Sequence, residues 1–117
     1  MVHIEISPAY GGRCGCYHAM GHAQKGHEAV CTAITALSEC LAANLANTWN
    51  IKMERVVASG ICTLRWHKTD KYGKGLNRAN TAAGFTYTGL KALAQAWPGD
   101  VEVKWTQPWN DKEGKKK

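Results

Sequence analysis

Apolar and polar residues alternate from the first positions of the chain. Val2, Ile4 and Ile6 are separated by His3, Glu5 and Ser7, the period of a strand with one buried face. Pro8 and the pair Gly11-Gly12 then mark a turn. A second strand is predicted over about residues 13–20. It places Cys14, Cys16, His18 and Met20 on one face and Gly15, Tyr17 and Ala19 on the other, with Tyr17 and Ala19 expected inward.

Over residues 29–47 the period lengthens. Val30, Ile34, Leu37, Leu41 and Leu45 recur at spacings of three and four among many alanines, which predicts an amphipathic helix. Residues 50–57 and 61–67 read as two strands, with Ser59-Gly60 as the hairpin turn and Val56, Val57, Ile61 and Leu64 as their apolar bulk. After a connection rich in glycine and lysine, Asn80 or Thr81 is expected to cap a second helix that runs to Trp97. Its inward stripe would be Ala83, Leu90, Leu93 and Trp97. Pro98-Gly99 ends it, and residues 101–105 form a last strand.

The order β-β-α-β-β-α-β predicts an α/β fold, a two-layer sandwich in which a mixed sheet carries two helices on one face. The length of 117 residues suits one domain, expected over residues 1–107, with residues 108–117 as a basic C-terminal tail. The hydrophobic fraction of 44% is that of an ordinary globular chain, and no apolar run comes near the roughly 18 to 20 residues of a bilayer span. The N-terminus lacks the basic-then-apolar pattern of a secretory signal, so a cytoplasmic protein without membrane contact is expected. Trp49, Trp66, Trp105 and Trp109 are expected at the surface, where they would favour a homodimer.

The formal charge of +6 is partly due to the tail, and the body keeps about +4, too diffuse to predict nucleic-acid binding. Cys14, Cys16, Cys31, Cys40 and Cys62 form an odd set in a chain with no sign of export, so reduced thiols are expected rather than a disulfide framework. Cys40 and Cys62 read as packing residues.

Chemistry concentrates where the loop from Gly21 to Gly26 runs into the first helix. A cysteine in a first helical turn meets unpaired backbone N–H groups and the positive end of the helix dipole, both of which favour the thiolate. Cys31 stands there, and His22 lies just upstream as a base, with His27 as the rival. A cysteine/histidine hydrolase needs these two groups and an N–H that faces the oxyanion. Glu28, the nearest carboxylate, and Thr35, one turn after Cys31, are candidate supporting residues, with Gly21 permitting the turn. A lone cysteine on an alanine-rich helix is more often a packed small hydrophobe, so the pairing with His22 carries the catalytic reading.

Two other readings use the same residues. Cys14, Cys16, His18, His22, His27 and Cys31 crowd within eighteen positions and would suit zinc, but they lack the paired spacing of structural zinc sites. No metal or other cofactor is therefore expected. Lys68, Lys71, Lys74 and Arg78 beside Trp66 and Tyr72 would suit an RNA- or ribosome-binding module, or simply a solvated loop.

Gly21-His22-Ala23, a short glycine-containing loop, and Glu28-Ala29-Val30-Cys31 followed by Thr32-Ala33-Ile34-Thr35-Ala36-Leu37 resemble the signature of the ribosomal-processing cysteine proteases, the Prp or YsxB-like family. The resemblance is specific over about residues 21–38. It implies a cysteine endopeptidase, usually a homodimer, with His22 and Cys31 as the catalytic dyad. Glu28 stands where the family more often has aspartate, and Thr35 where it usually has serine. The loop between His22 and Cys31 is several residues shorter than the family's. The implied partner is a protein or peptide: the twenty-seventh protein of the large ribosomal subunit, which loses an N-terminal segment, or a structural protein if the chain is a bacteriophage member.

Overall fold

The computed structural model describes residues 1–106; the tail expected over 108–117, with Trp109, lies outside the described residues. Seven elements follow one another: β1 (Val2–Ser7), β2 (Gly15–Gly21), α1 (Glu28–Ala46), β3 (Ile51–Ala58), β4 (Ile61–Lys68), α2 (Leu76–Ala96) and β5 (Val101–Trp105). The strands form one mixed sheet in the order β3-β4-β2-β1-β5. All neighbours are antiparallel except β1 and β5, which run parallel and pair Val2 with Val101 and Ile4 with Val103. The fold is the α/β two-layer sandwich that the element order implies.

Strand alternation decides which face is covered. Val2, Ile4, Ile6, Tyr17, Ala19, Leu64, Trp66 and Val101 are buried, while His3, Glu5 and Glu102 stay on the helix-free face. Tyr17 and Ala19 thus face inward as expected. α1 contributes Val30, Ile34, Leu41, Ala42 and Leu45 to the core, and α2 contributes Ala79, Ala83 and Leu90. The nineteen residues of α1 are long and apolar enough to cross a membrane by length and composition, although their apolar positions do not form an unbroken run. Here the helix lays its apolar stripe on the sheet.

Several sequence expectations are corrected. Trp66 is fully buried rather than exposed: its indole fills the space above Gly15, its cross-strand partner, where any Cβ would collide with the ring. α2 begins at Leu76 and not at Asn80, because Asn80 is used elsewhere. Its side-chain amide donates to the Ala9 carbonyl at 2.8 Å, and its oxygen accepts from the Ala9 N–H at 2.9 Å and from the Trp66 indole N–H at 3.1 Å. A residue that suits a helix cap by type therefore ties the β1–β2 connection to the core. Trp97 follows the end of α2 and is 40% exposed, so it does not complete the buried stripe. Cys40 is exposed rather than packed. Trp105 is half-buried against Tyr87, with ring centroids 5.5 Å apart, whereas Trp49 is 85% exposed as expected.

Candidate active site

Gly21 closes β2 with a φ of +113°, a conformation natural to glycine, and a side chain there would run into the Met1 carbonyl. Its N–H donates to the Gly60 carbonyl at 2.9 Å, which fixes the end of β2 against the β3–β4 hairpin turn. The chain leaves the sheet at His22, whose ring rests on Gly60. α1 begins six residues later, so Cys31 falls at the end of its first turn. The N–H of Ala23 donates to Cys31 Sγ at 3.4 Å and links the residue after His22 directly to the sulfur.

His22 and Cys31 line the same cavity, of about 210 Å³, with Gly21 and Thr35. Val2, Ile34, Val57 and Ile61 give it apolar walls. Ser38, Glu39 and Cys62 add polar atoms. Behind it, Ser38 donates to the Ile34 carbonyl at 2.8 Å, so its oxygen is left to accept the proton of the buried Tyr17 hydroxyl. Burial pushes that phenol up to about 12. Burial also raises the Cys62 thiol, with Arg55 opposing. Arg55 itself, on β3, is paired with Glu39 on α1, so the charge of this cavity-lining carboxylate is neutralised.

The other predicted residues take different positions. Thr35 donates to the Cys31 carbonyl at 2.9 Å, so its hydroxyl is engaged with the helix backbone rather than with the thiol. Glu28 lies in the first turn of α1, where its charge complements the helix dipole. Within this stretch the carboxylate that meets a histidine is not Glu28 but Asp100, which the sequence reading passed over. Asp100 is 2% exposed, accepts the Gln24 N–H on Oδ1 at 2.7 Å, and pairs through Oδ2 with His27 Nδ1 at 2.7 Å. The Gln24 N–H bond and, after it, the contact with His27 hold this carboxyl below the usual carboxylate range despite its burial. His27, the rival base, sets its ring edge-on to Trp97 at 5.0 Å.

The alternative ligand set is not assembled. Alternation along β2 sends Cys16 and His18 to the helix-free face, opposite Cys31, and His18 is hydrogen-bonded to Thr63 at 2.8 Å. Among the described residues, no three His, Cys, Asp or Glu side chains form a group suited to a metal ion. For the RNA-binding reading, Trp66 is buried and cannot stack on a base, and Lys71 lies 5.9 Å above the ring of its neighbour Tyr72.

The fold and this site define a small α/β sandwich with a cysteine at the start of one helix and a histidine at the end of the preceding strand. Solved structures with the same architecture include those of the essential ribosomal processing protease Prp from Staphylococcus aureus. The form with a substrate peptide superposes with a TM-score of 0.72 at 12% identity, covering 91% of this chain and 100% of the other. The form with a covalently linked product peptide gives 0.70 at 13% identity with the same coverage. SMU.848 from Streptococcus mutans gives 0.64 at 18% identity over 92% of this chain and 95% of the other. No family model and no curated protein matches the sequence. At these identities the shared property is the fold.

Proposed function

We propose that the protein is a cysteine endopeptidase that removes an N-terminal segment from an assembly protein. The observation that carries this reading is the joint placement of His22 and Cys31 on one cavity, with the Ala23 N–H directed at the sulfur. The shared fold with a ribosomal processing protease solved with substrate and product peptides supports it. The substrate would be the twenty-seventh protein of the large ribosomal subunit or, for a phage-encoded enzyme, a structural protein of the particle. The apolar cavity walls suit an apolar side chain of an extended peptide. A cytoplasmic homodimer fits this role, and exposed apolar side chains such as Trp49 and Phe85 favour association.

In this mechanism His22 takes the Cys31 proton and the thiolate attacks the scissile carbonyl carbon. The tetrahedral adduct collapses as the C–N bond breaks, and His22 returns the proton to the leaving amine. Water then attacks the thioester, gives a proton to His22, and releases the carboxylate product with the thiol restored. Glu28 and Thr35 would support the first turn of α1, which holds the nucleophile.

The test is incubation of the purified protein with N-terminally extended precursors of the ribosomal protein and of phage structural proteins, read by mass spectrometry. Cleavage at one site that is lost in Cys31→Ser supports the proposal. Cleavage retained in Cys31→Ser, or none of any precursor, contradicts it.

A further inference from the structure

Between His22 and Cys31 runs a short loop in which one backbone N–H, of Gln24, and one side chain, of His27, meet the carboxylate of Asp100. Asp100 precedes β5 and is held firmly: its N–H donates to the Trp97 carbonyl at 3.0 Å, and its carbonyl accepts from the Val2 N–H at 2.8 Å. Its carboxylate then takes the Gln24 N–H on one oxygen and His27 on the other. The Gln24 side chain adds a bond from Nε2 to the Gly99 carbonyl at 3.3 Å. Ala23, whose N–H meets the Cys31 sulfur, is the residue immediately before Gln24.

We infer that Asp100 is a positioning residue for the Cys31 thiol, which it serves by holding the loop of His22 and Gln24 so that the Ala23 N–H stays on the sulfur. Ala23 has one bond to the sulfur, and a single N–H···S contact is too weak to order a glycine-bounded loop. The bonds to a buried, ionised carboxylate are of the stronger, charge-assisted kind and fix the very next peptide. The side chain makes no contact with the cavity, so its effect on the thiol passes through the loop. The charged or titratable groups that face it are His27 and the N-terminal amine.

This inference rests on the reading of Cys31 as the nucleophile, and Cys62 supplies an internal control. Cys62 lines the same cavity but stands on β4, outside the reach of the loop. Iodoacetamide labelling of each thiol is followed by mass spectrometry in the wild type, Asp100→Asn, Asp100→Ala and His27→Phe. Asp100→Ala, which removes both acceptors, is expected to slow Cys31 about tenfold while Cys62 labels at the wild-type rate. Asp100→Asn keeps one accepting oxygen and should fall between. On a cleaved peptide, kcat falls with little change in KM. A folded Asp100→Ala protein in which Cys31 labels as in the wild type, or in which Cys31 and Cys62 change together, overturns the inference. If Asp100→Ala does not fold, His27→Phe decides: it keeps the ring on Trp97 and removes one donor, and a Cys31 rate that falls about threefold supports the inference while an unchanged one overturns it. A failure of the peptidase reading looks different, because Cys31 of the wild type would then label no faster than the other thiols.

Discussion

The imidazole of His22 rests directly on the backbone of Gly60, so closely that a Cβ built at Gly60 would stand 2.6 Å from Nε2. The hairpin turn between β3 and β4 is thus one side of the histidine's seat, and the hydrogen bond from Gly21 to Gly60 locks the two together.

Gly60→Ala should therefore damage activity more than stability. Gly60 has a φ of +72°, so alanine costs about 1 to 2 kcal/mol in the turn, and its methyl collides with the His22 ring and displaces it. The expected outcome is a folded protein, modestly less stable in urea, with peptide cleavage reduced on the order of tenfold or more. Wild-type cleavage by this variant would show that the observed ring position is not the working one.

Asn80→Ala tests the clamp that replaced the expected helix cap. It leaves the Ala9 N–H and carbonyl and the Trp66 indole N–H without their partner, and both Ala9 and Trp66 are buried. At about 1 kcal/mol or more for each orphaned group, a loss of about 3 kcal/mol is expected in urea unfolding, with the site chemistry intact once folded. A loss below about 1 kcal/mol would mean that water satisfies these groups.

Tyr17 contributes to the loss of stability at alkaline pH. Its phenol ionises near 10 when unfolded and at about 12 when folded, because burial disfavours the phenolate. A raised folded value stabilises the protein fully below pH 10, and the contribution is lost as pH rises through the folded value, since the unfolded state releases its proton first. The contribution of Tyr17 should fall by about 2 kcal/mol between pH 10 and 12, and Tyr17→Phe should remove that part of the slope while costing its bond to Ser38. An equal slope in the variant would place its origin elsewhere.

These residues also show what the sequence made legible. The strand and helix periods were readable because each element has one buried face: Val2, Ile4 and Ile6, or Val30, Ile34, Leu41 and Leu45, repeat with the geometry of the backbone. The stretch from Gly21 to Cys31 was readable as a candidate site because a helix start follows directly on a glycine-bounded histidine. Asp100 was not, since an aspartate after Pro98-Gly99 has the composition of a solvated turn, and only folding brings it to Gln24 and His27. Trp66 and Asn80 were misjudged for the same reason, because their burial depends on Ala9 and Gly15, which are distant in the chain.

The central claim, that Cys31 is an activated nucleophile served by His22, is tested most directly by competitive labelling of the five thiols with iodoacetamide in the wild type and in His22→Ala. Cys14 and Cys40 are exposed, whereas Cys31 is only partly so, and accessibility alone would put those two first. Cys31 is expected to label fastest and to slow on the order of tenfold in His22→Ala, with the other four unchanged. Labelling of Cys31 at or below the rate of Cys14 and Cys40, or an unchanged rate in His22→Ala, would contradict it.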